Sequence, residues 1–290
     1  MSPRKEKEYV AMASERNVRG RALLLLPGML FVGGLLLLPL LWLLALSFDN
    51  NGPSLSHYAR LFDDPSYLKS FVLTFQIAGA VTLVAMLLGY PLCYWMLGLT
   101  PAWQRLALIC VMIPFWTSLL VRTYAWLVLL QRRGLVNTAL QDLGVVSEPL
   151  ALMYNATGTT IGMAHIMLPF LVLPLFASMQ SIDRDLLKAA AALGGSPGFV
   201  FWRVFFPLSL PGLTAGTLLV FVLSIGYYVT PQLLGGGSTV MIGQIIQRNI
   251  ELFSSWGAAS AVSMVLLAIV MVVFLLMNRF LSLDRVFGAR

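Results

Sequence analysis

The sequence predicts an all-α integral membrane protein with six transmembrane helices. Hydrophobic residues fill 59% of the 290 positions and charged residues only 11%, whereas water-soluble domains contain about 25% charged residues. Crossing the hydrocarbon core of a bilayer takes about 20 consecutive apolar residues, and six segments reach that length. They are residues 22–47, 71–98, 105–130, 157–179, 208–232 and 257–278.

The distribution of basic residues predicts how these spans are oriented. Six spans place both termini on one side, and that side carries 13 Lys and Arg residues in its tails and loops, against 5 on the other. The side richer in Lys and Arg faces the cytoplasm. We therefore expect cytoplasmic tails at 1–21 and 282–290, a first transmembrane helix at 22–47, a periplasmic segment at 48–69 and a transmembrane core at 70–281. The net charge of +7 follows from this topology and does not indicate nucleic-acid binding.

The first apolar segment follows a basic stretch, as in a secretory signal peptide. It is longer than the apolar region of such a peptide and lacks a convincing small-residue cleavage site. We therefore expect residues 22–47 to remain as a span.

Three segments on the outer side are long enough to hold structure of their own. Residues 135–143 place five apolar residues on one face of a helix, and Gly144 can end that helix. Residues 49–69 and 233–256 are similar in length. These segments could fold over the outer mouth or receive a partner; short ordered loops without a partner are the alternative.

The cytoplasmic segment 180–206 predicts a helix, an elbow and a second helix. Asp183 and Asp185 suit a helix N-terminus, where the helix dipole stabilises negative charge. Strong helix-forming residues follow as far as Leu193, and the glycine pair 194–195 then stops the helix.

The second helix of this segment begins at Ser196-Pro197, a capping residue followed by a first-turn proline. Phe199, Trp202 and Phe206 share one face, beside Arg203, so this helix can lie in the membrane interface. Pro207 and Pro211 then mark the start of the fifth span. A rigid elbow with small residues facing outward suits docking into a cytoplasmic protein; an ordinary connection between spans is the alternative.

The elbow resembles the EAA loop of the membrane subunits of binding-protein-dependent ABC importers. The family pattern is Glu-Ala-Ala, then a glycine, nine residues, an aliphatic residue, one residue and Leu-Pro. Ala189, Ala190, Gly194, Val204 and Pro207 fall at matching positions, whereas Lys188 replaces the glutamate and Phe206 the leucine. The resemblance implies an ATPase-coupling loop made of Asp185, Lys188, Ala189, Ala190, Gly194, Gly195, Ser196, Pro197, Val204 and Pro207.

Three further stretches resemble the spermidine/putrescine branch of these permeases: PFWTSLLVRTYAW at 114–126, GLVNTALQDLG at 134–144 and GYYVTPQLLGGG at 226–237. The resemblance implies the type I importer (MetI-like) fold, with an extra first helix ahead of the core. It also implies an inner-membrane permease that pairs with a second, related permease, binds a dimeric cytoplasmic ATPase and receives a polyamine from a periplasmic binding protein.

Several other functions lack their sequence motifs. Without G-x-x-x-x-G-K-[ST], this chain cannot hydrolyse ATP, so we expect no cofactor in it, and ATP and Mg²⁺ in the partner ATPase. A membrane-embedded enzyme is a remote alternative, because H-E-x-x-H and G-x-S-x-G are missing and only His165 of the two histidines lies in a span. An ion-coupled carrier usually has intramembrane carboxylates, which the predicted spans lack.

Cys93 and Cys110 lie in apolar segments, where we expect small buried residues rather than a disulfide or a metal site.

Polar and aromatic side chains in the spans are the candidates for the translocation pathway. Arg122 is costly at membrane depth and should face protein or water, unless it anchors backbone carbonyls. His165, beside Pro169, either lines the pathway or bonds the backbone of a broken helix. Acceptors and aromatic faces for an ammonium group are offered by Gln76, Trp116, Tyr124, Tyr227 and Tyr228, with packing as the alternative for each. Asp142, Glu148 and Glu251 are placed near the outer mouth, where they attract cations or are simply solvated.

The elbow also predicts how transport is driven. ATPase closure is expected to shift the elbow, which carries the fourth and fifth spans as rigid rods between inward-open and outward-open states.

Two small-xxx-small pairs, Gly158/Gly162 and Gly212/Gly216, allow close packing against the partner permease or within this subunit. The solute stays open, because an opine, an amino-acid derivative or a phosphonate would suit the same architecture.

Overall fold

The computed structural model describes residues 27–48 and 55–281, with side chains as far as residue 275. The predicted tails at 1–21 and 282–290 lie outside the described residues. The described part is helical and contains no β-strand. Its helices are α1 Pro27–Leu46, α2 Ser56–Asp63, α3 Pro65–Leu97, α4 Pro101–Trp116, α5 Leu119–Leu130, α6 Leu135–Asp142, α7 Ala156–Gln180, α8 Arg184–Ala192, α9 Pro197–Val200, α10 Phe206–Ile225, α11 Val229–Leu234, α12 Ile242–Glu251 and α13 Trp256–Leu281.

Five helical runs among the described residues are long and apolar enough to cross a membrane. They are α1, α3, α7, α13 and the run Pro197–Ile225, in which the π-helical turn Phe201–Phe205 joins α9 to α10. A sixth span arises if α4 and the run Leu119–Asp142 are counted together. The predicted first, second, fourth and sixth spans correspond to α1, α3, α7 and α13.

The predicted third span, 105–130, is not one straight helix. α4 and the following run meet at an angle of 98° around Thr117 and Ser118, whose backbones are extended. Pro114 weakens the last turn of α4, because its ring disfavours a helical conformation for Ile113 and it has no amide hydrogen. Its carbonyl oxygen accepts from both the amide and the hydroxyl of Thr117, at 3.3 and 2.8 Å, which ends the helix.

The predicted fifth span, 208–232, is shifted toward the N-terminus in the structure. The helical run begins at Pro197 and ends at Ile225, so Tyr227 and Tyr228 lie in a break before α11. Pro231 accounts for the break, because it has no N–H to donate to the carbonyl of Tyr227. It sits instead in the first turn of α11, where that hydrogen bond is not required.

The second span begins earlier than predicted because of its cap. The Asp64 carboxylate accepts from the Ser66 amide at 2.8 Å, and Pro65 occupies the first turn of α3. The hydrogen bonds from the Ser66 backbone and side chain, with a smaller effect of Arg60, hold the pKa of the Asp64 carboxyl below its ordinary value.

The centre of the bundle consists of α3, α7 and α10. One buried cluster joins Ile77 and Val81 of α3, Met167 and Leu171 of α7, and Val220 of α10. A second cluster, toward the elbow, contains Cys93, Met96, Phe176, Met179, Phe205 and Leu213.

Small residues let these helices approach each other within the subunit. A Cβ at position 216 would lie 2.9 Å from the Leu171 carbonyl oxygen, and one at position 212 would lie 2.9 Å from that of Pro174. Gly158 and Gly162 likewise contact this chain, at Leu152 and Thr230. Of the two predicted roles, both glycine pairs therefore have the packing role inside this subunit.

The outer segments hold helices rather than plain loops. α6 ends as predicted, with Gly144 at φ +67°. Asn137 is its buried residue and ties it down: its side-chain amide donates to Gln131 O and Leu150 O at 3.0 and 3.1 Å, and its oxygen accepts from Leu150 N at 2.8 Å. The five apolar residues of the predicted face are exposed or only half-buried, with Leu143 77% exposed.

Segment 233–256 folds back onto the bundle. Thr74 of α3 accepts a hydrogen bond from the Ile242 amide at 2.9 Å at the start of α12. Gln244 accepts from Met241 N at 2.6 Å and donates to Gln232 at 3.1 Å, which links α12 to α11.

The two cysteines differ in environment, and neither forms a disulfide. Cys93 is buried as predicted. Cys110 is exposed, so the prediction that it is buried is wrong for this chain on its own: α4 contacts α3 and α7 but buries none of its residues.

Candidate coupling elbow and translocation pathway

The first arm of the elbow, α8, is a short helix that contacts the core through the half-buried Leu187. The Asp183 carboxylate caps it by accepting from the Asp185 amide at 2.8 Å. Lys188 Nζ and Asp185 Oδ1 form an exposed ion pair at 2.7 Å. None of the residues of α8 is buried, so its alanines are available to a partner.

The turn of the elbow depends on two adjacent glycines. Gly194 has φ +88°, a backbone conformation that glycine adopts at low cost. At Gly195 a Cβ would lie 2.7 Å from the Ala190 carbonyl oxygen, which accepts from the Gly195 amide at 3.1 Å. Leu193, just before the pair, is 90% exposed.

The second arm is not a separate helix, unlike the prediction. Ser196 caps it by accepting from the Phe199 amide at 3.3 Å, and Pro197 stands in its first turn. From there the chain stays helical through the π-helical turn into α10. The arm and the fifth span therefore form one continuous helical rod, Pro197–Ile225.

Aromatic rings clamp this rod to the end of α3. Tyr94 packs edge-on against Phe201 and Phe205, each with ring centroids 5.2 Å apart. Tyr90 OH and Ser209 Oγ are 2.9 Å apart and share a hydrogen bond. Of the predicted interfacial face, Phe199 and Trp202 are exposed, whereas Phe206 is half-buried and contacts Trp202 and Tyr90. Val204 is half-buried and Pro207 exposed.

Three of the predicted pathway residues come together where α5, α7 and α11 meet. Thr123 and Thr230 hydroxyls lie 3.3 Å apart and join α5 to α11. Arg122, in the same turn of α5, lies close enough to His165 and Tyr227 to act on both electrostatically. These three residues are half-buried.

His165 has a side-chain partner that the sequence did not indicate. The indole of Trp126 donates to His165 Nδ1 at 3.2 Å, and the two rings pack edge-on. At Nδ1, the partner of His165 is therefore a side chain and not the backbone of a broken helix. Trp126 stands four residues after Arg122, so the two side chains are neighbours on one face of a helix. This spacing is the sequence signal that could have placed Trp126 beside Arg122.

Arg122 has an incompletely satisfied guanidinium. Its Nε is buried and has no hydrogen-bond partner among the described residues. Arg122 therefore does not anchor a backbone carbonyl through its Nε, which was the alternative role. A buried donor without an acceptor is unfavourable, so this position favours a ligand or partner that brings an acceptor.

The remaining pathway candidates are exposed. Trp116, at the bend after α4, is 84% exposed, and Tyr124, Gln76 and Tyr228 are also exposed. In the described part of the chain, the five helical runs that can span a membrane hold no Asp or Glu, and the bent pair holds one, Asp142 at its end. No group of side chains among these residues could hold a metal ion. Asp142, Glu148 and Glu251 are exposed at or beyond helix ends.

Residues 21–282 match the protein family described as the binding-protein-dependent transport system inner membrane component. The chain is 34% identical over 257 residues to the spermidine/putrescine transport system permease protein PotB of Haemophilus influenzae, which covers 85% of this chain and 90% of that protein. It is 33% identical over 232 residues to the protein of the same name from Escherichia coli K12, with coverage of 79% and 84%.

The fold is similar to that of a chain in the crystal structure of a bacterial ABC transporter that imports the acidic polysaccharide alginate. The TM-score is 0.70, with 94% of this chain and 98% of that chain covered, and the sequence identity of 16% limits this likeness to the fold. Because the family match extends over almost the whole bundle and its elbow, the chain belongs to the binding-protein-dependent transport system inner membrane components and is a permease subunit of an ABC importer.

Proposed function

We propose that this permease forms half of the translocation pathway for a polyamine such as spermidine or putrescine. The observation that carries the proposal is the 34% identity to a spermidine/putrescine permease across 85% of the chain. The solute arrives on a periplasmic binding protein, and a second, related permease completes the pathway. ATP and Mg²⁺ belong to a dimeric cytoplasmic ATPase, and this chain needs no cofactor of its own.

The proposed topology has six spans in the bacterial inner membrane, with both termini in the cytoplasm. The bent pair α4 and α5–α6 counts as the third span, and the core extends over 70–281 between tails at 1–21 and 282–290. The first helix at 22–47 and the periplasmic segment at 48–69 precede this core. The excess of Lys and Arg on the side of the elbow supports this orientation.

The coupling loop, 180–206, is proposed to transmit ATPase movement to the bundle. Its exposed first arm offers Ala189 and the half-buried Ala190 as a small, close-fitting surface. Its second arm is one rod with α10, and α10 packs directly on α7. A displacement of the elbow therefore moves both helices together, as rigid-body switching requires.

Lys188 is the position at which this loop departs from the family pattern. Its ammonium group already pairs with Asp185 inside the same helix. The charge reversal is thus balanced locally, and the docking surface depends on the alanines and the turn rather than on a glutamate.

Exposed aromatic faces are proposed to guide the polyamine. Trp116, Tyr124 and Tyr228 present exposed rings, which attract ammonium groups through their negative faces. Gln76 adds an amide oxygen. Since the only carboxylate in the described spans is the exposed Asp142 at the end of α6, the counter-charge for a dication comes from the partner permease or the binding protein.

A second candidate solute is a small anion, such as an opine, an amino-acid derivative or a phosphonate. The observation in its favour is Arg122, whose buried Nε has no acceptor in the part of the chain that the structure describes. A carboxylate or phosphonate oxygen would satisfy that donor, whereas a polyamine would be repelled by it.

Uptake into proteoliposomes distinguishes the two solutes. The chain is reconstituted with the second permease, the ATPase and the binding protein proposed above, and radiolabelled putrescine and a radiolabelled phosphonate are offered with internal ATP. We expect putrescine to accumulate only with ATP and binding protein, and not when the ATPase has lost its Walker lysine. Accumulation of the phosphonate alone would favour the anionic solute, and accumulation without the ATPase would contradict coupling through the elbow.

A further inference from the structure

A cavity of about 1070 Å³ lies between the elbow and the ends of α3, α4 and α7. Its apolar wall includes Tyr94 and Trp95 of α3, Met179 of α7, and Phe201 and Phe205 of the π-helical turn. Tyr94 and Trp95 are exposed although they belong to an apolar span. Aromatic residues in such positions are typical of the membrane–water interface.

Basic side chains line one part of this cavity. Arg184 and Lys188 are among its lining residues, and none of the described lining residues is an Asp or Glu. Arg184 Nη2 donates to Leu97 O at 3.4 Å, which occupies one of the five donors of the guanidinium. Lys188 uses one of its three donors for Asp185, and neither Asp183 nor Asp185 lines the cavity.

The chemistry of the cavity selects among possible occupants. A free phosphate matches the basic part but leaves the aromatic wall uncovered. An ATPase bound to the residues of the elbow that do not line the cavity, such as Ala189 and Leu193, leaves the aromatic wall uncovered, because that wall belongs to the ends of the membrane helices. An anionic phospholipid joins a phosphate to apolar chains and complements both parts.

We propose that this cavity binds one anionic phospholipid of the cytoplasmic leaflet, with its phosphate held between Arg184 and Lys188. Its acyl chains lie along Trp95 and Phe201. The site rests on the cytoplasmic placement of the elbow proposed above. The bound lipid holds the elbow at the membrane surface. The charge of the lipid headgroup therefore affects how ATPase movement is transmitted through the elbow.

Photo-crosslinking of the purified transporter complex tests this site. Proteoliposomes carry a photoactivatable phosphatidylglycerol or, for comparison, a photoactivatable phosphatidylcholine, and labelled peptides are mapped by mass spectrometry. We expect phosphatidylglycerol to label peptides that contain residues 94–98 and 197–205. The double variant R184Q/K188Q should lose roughly ten-fold in labelling, because two basic contacts with an anionic headgroup are removed.

Two further variants separate the site from a general charge effect. Arg203→Gln removes an exposed cation of the same segment that does not line the cavity, and it should keep full labelling. Ala191→Trp fills the cavity without changing charge, and it should lose labelling as the double variant does. Unchanged gel-filtration profiles show that the variants are folded.

Four results would overturn the proposal: equal labelling by the two lipids, equal loss in R203Q, displacement by millimolar inorganic phosphate, or loss of labelling whenever the ATPase is bound. Labelling requires neither ATP nor solute, so a failure of polyamine uptake leaves this assay unaffected. A reversed topology is detected separately, by labelling a cysteine placed at Leu193 with a membrane-impermeant reagent.

Discussion

At the scale of single residues, the elbow depends on two neighbouring glycines for different reasons. Gly194 requires a positive φ, whereas Gly195 requires space against the Ala190 carbonyl oxygen. The family pattern contains one glycine at this turn, at position 194, and the spatial need at 195 became visible only once the backbone was in place.

Gly194→Ala should uncouple ATP hydrolysis from uptake. A Cβ at φ +88° costs about 1–2 kcal/mol, and the turn can relax only by changing the angle between α8 and α9. We expect solute uptake to fall several-fold while ATP hydrolysis by the complex continues, measured side by side in proteoliposomes. Gly198→Ala is the matched control, because a Cβ at either glycine meets no described atom within 4 Å, but only Gly194 has a positive φ; equal uptake in both variants would contradict the role of the turn.

Lys188→Gln should leave the thermal stability of the complex unchanged. Both side chains of its ion pair with Asp185 are exposed to solvent, and such pairs contribute little to the free energy of folding. The midpoint of thermal unfolding in detergent provides the measurement. A clear decrease would show that Lys188 stabilises the elbow itself, contrary to the small effect expected here.

Arg122→Gln should separate a cationic from an anionic solute. Removing the charge relieves repulsion of a polyamine but deletes the donor that an anion would use, so putrescine uptake should be kept or raised and phosphonate uptake lost. Arg133→Gln, an exposed cation just beyond α5, controls for surface charge. A loss of putrescine uptake in R122Q alone would contradict the polyamine proposal.

At the scale of helices, the packing of α7 against α10 makes the coupling mechanism possible. Gly212 and Gly216 bring the backbone of α10 onto that of α7, and rigid rods in such close contact move as a unit. The sequence predicted this contact only as one of two alternatives, because a small-xxx-small pair does not specify its partner helix.

Gly216→Ala should destabilise this contact. The added Cβ would lie 2.9 Å from the carbonyl oxygen of Leu171, and backbone cannot move aside as a side chain would. Overpacking of this kind costs about 1–3 kcal/mol, so we expect a lower midpoint of thermal unfolding in detergent. Gly79→Ala is the control within α3, with no atom inside 4 Å, and a similar decrease there would mean that the assay reports glycine loss in general.

The short helices that the sequence predicted correctly are those with local signals. α8 and its turn follow from the Asp183 cap and the glycines, and α6 ends at Gly144 as expected. The bend after α4 was missed because it lies within a continuous apolar stretch, so the hydropathy of the sequence does not change there. What changes is the backbone hydrogen bonding, since Pro114 O accepts from Thr117 and the helix ends. The fifth span was displaced for a related reason, since Pro231 interrupts the helix without interrupting the apolar run.

At the scale of the whole molecule, much apolar surface stays uncovered in the single chain. None of the residues in the α1 span is buried, and α4 buries none either. The pathway cluster around Arg122 and the buried centre between α3 and α7 could not be assigned from the sequence, because both depend on which helices meet. In contrast, the unequal number of Lys and Arg residues on the two sides of the predicted spans can be counted from the sequence alone. It predicts which side of the membrane the elbow faces without knowledge of any contact.

Single cysteines at the elbow and at the opposite end test that sidedness. In a variant with Cys93 and Cys110 replaced by alanine, Leu193→Cys and Leu143→Cys each place a thiol at a highly exposed position. A membrane-impermeant maleimide should label position 143 in intact cells and position 193 only in inverted vesicles, because the Lys- and Arg-rich side faces the cytoplasm. Labelling of position 193 in intact cells would place the elbow in the periplasm, where no ATPase could act on it and the rods α7 and α10 would have no driving subunit.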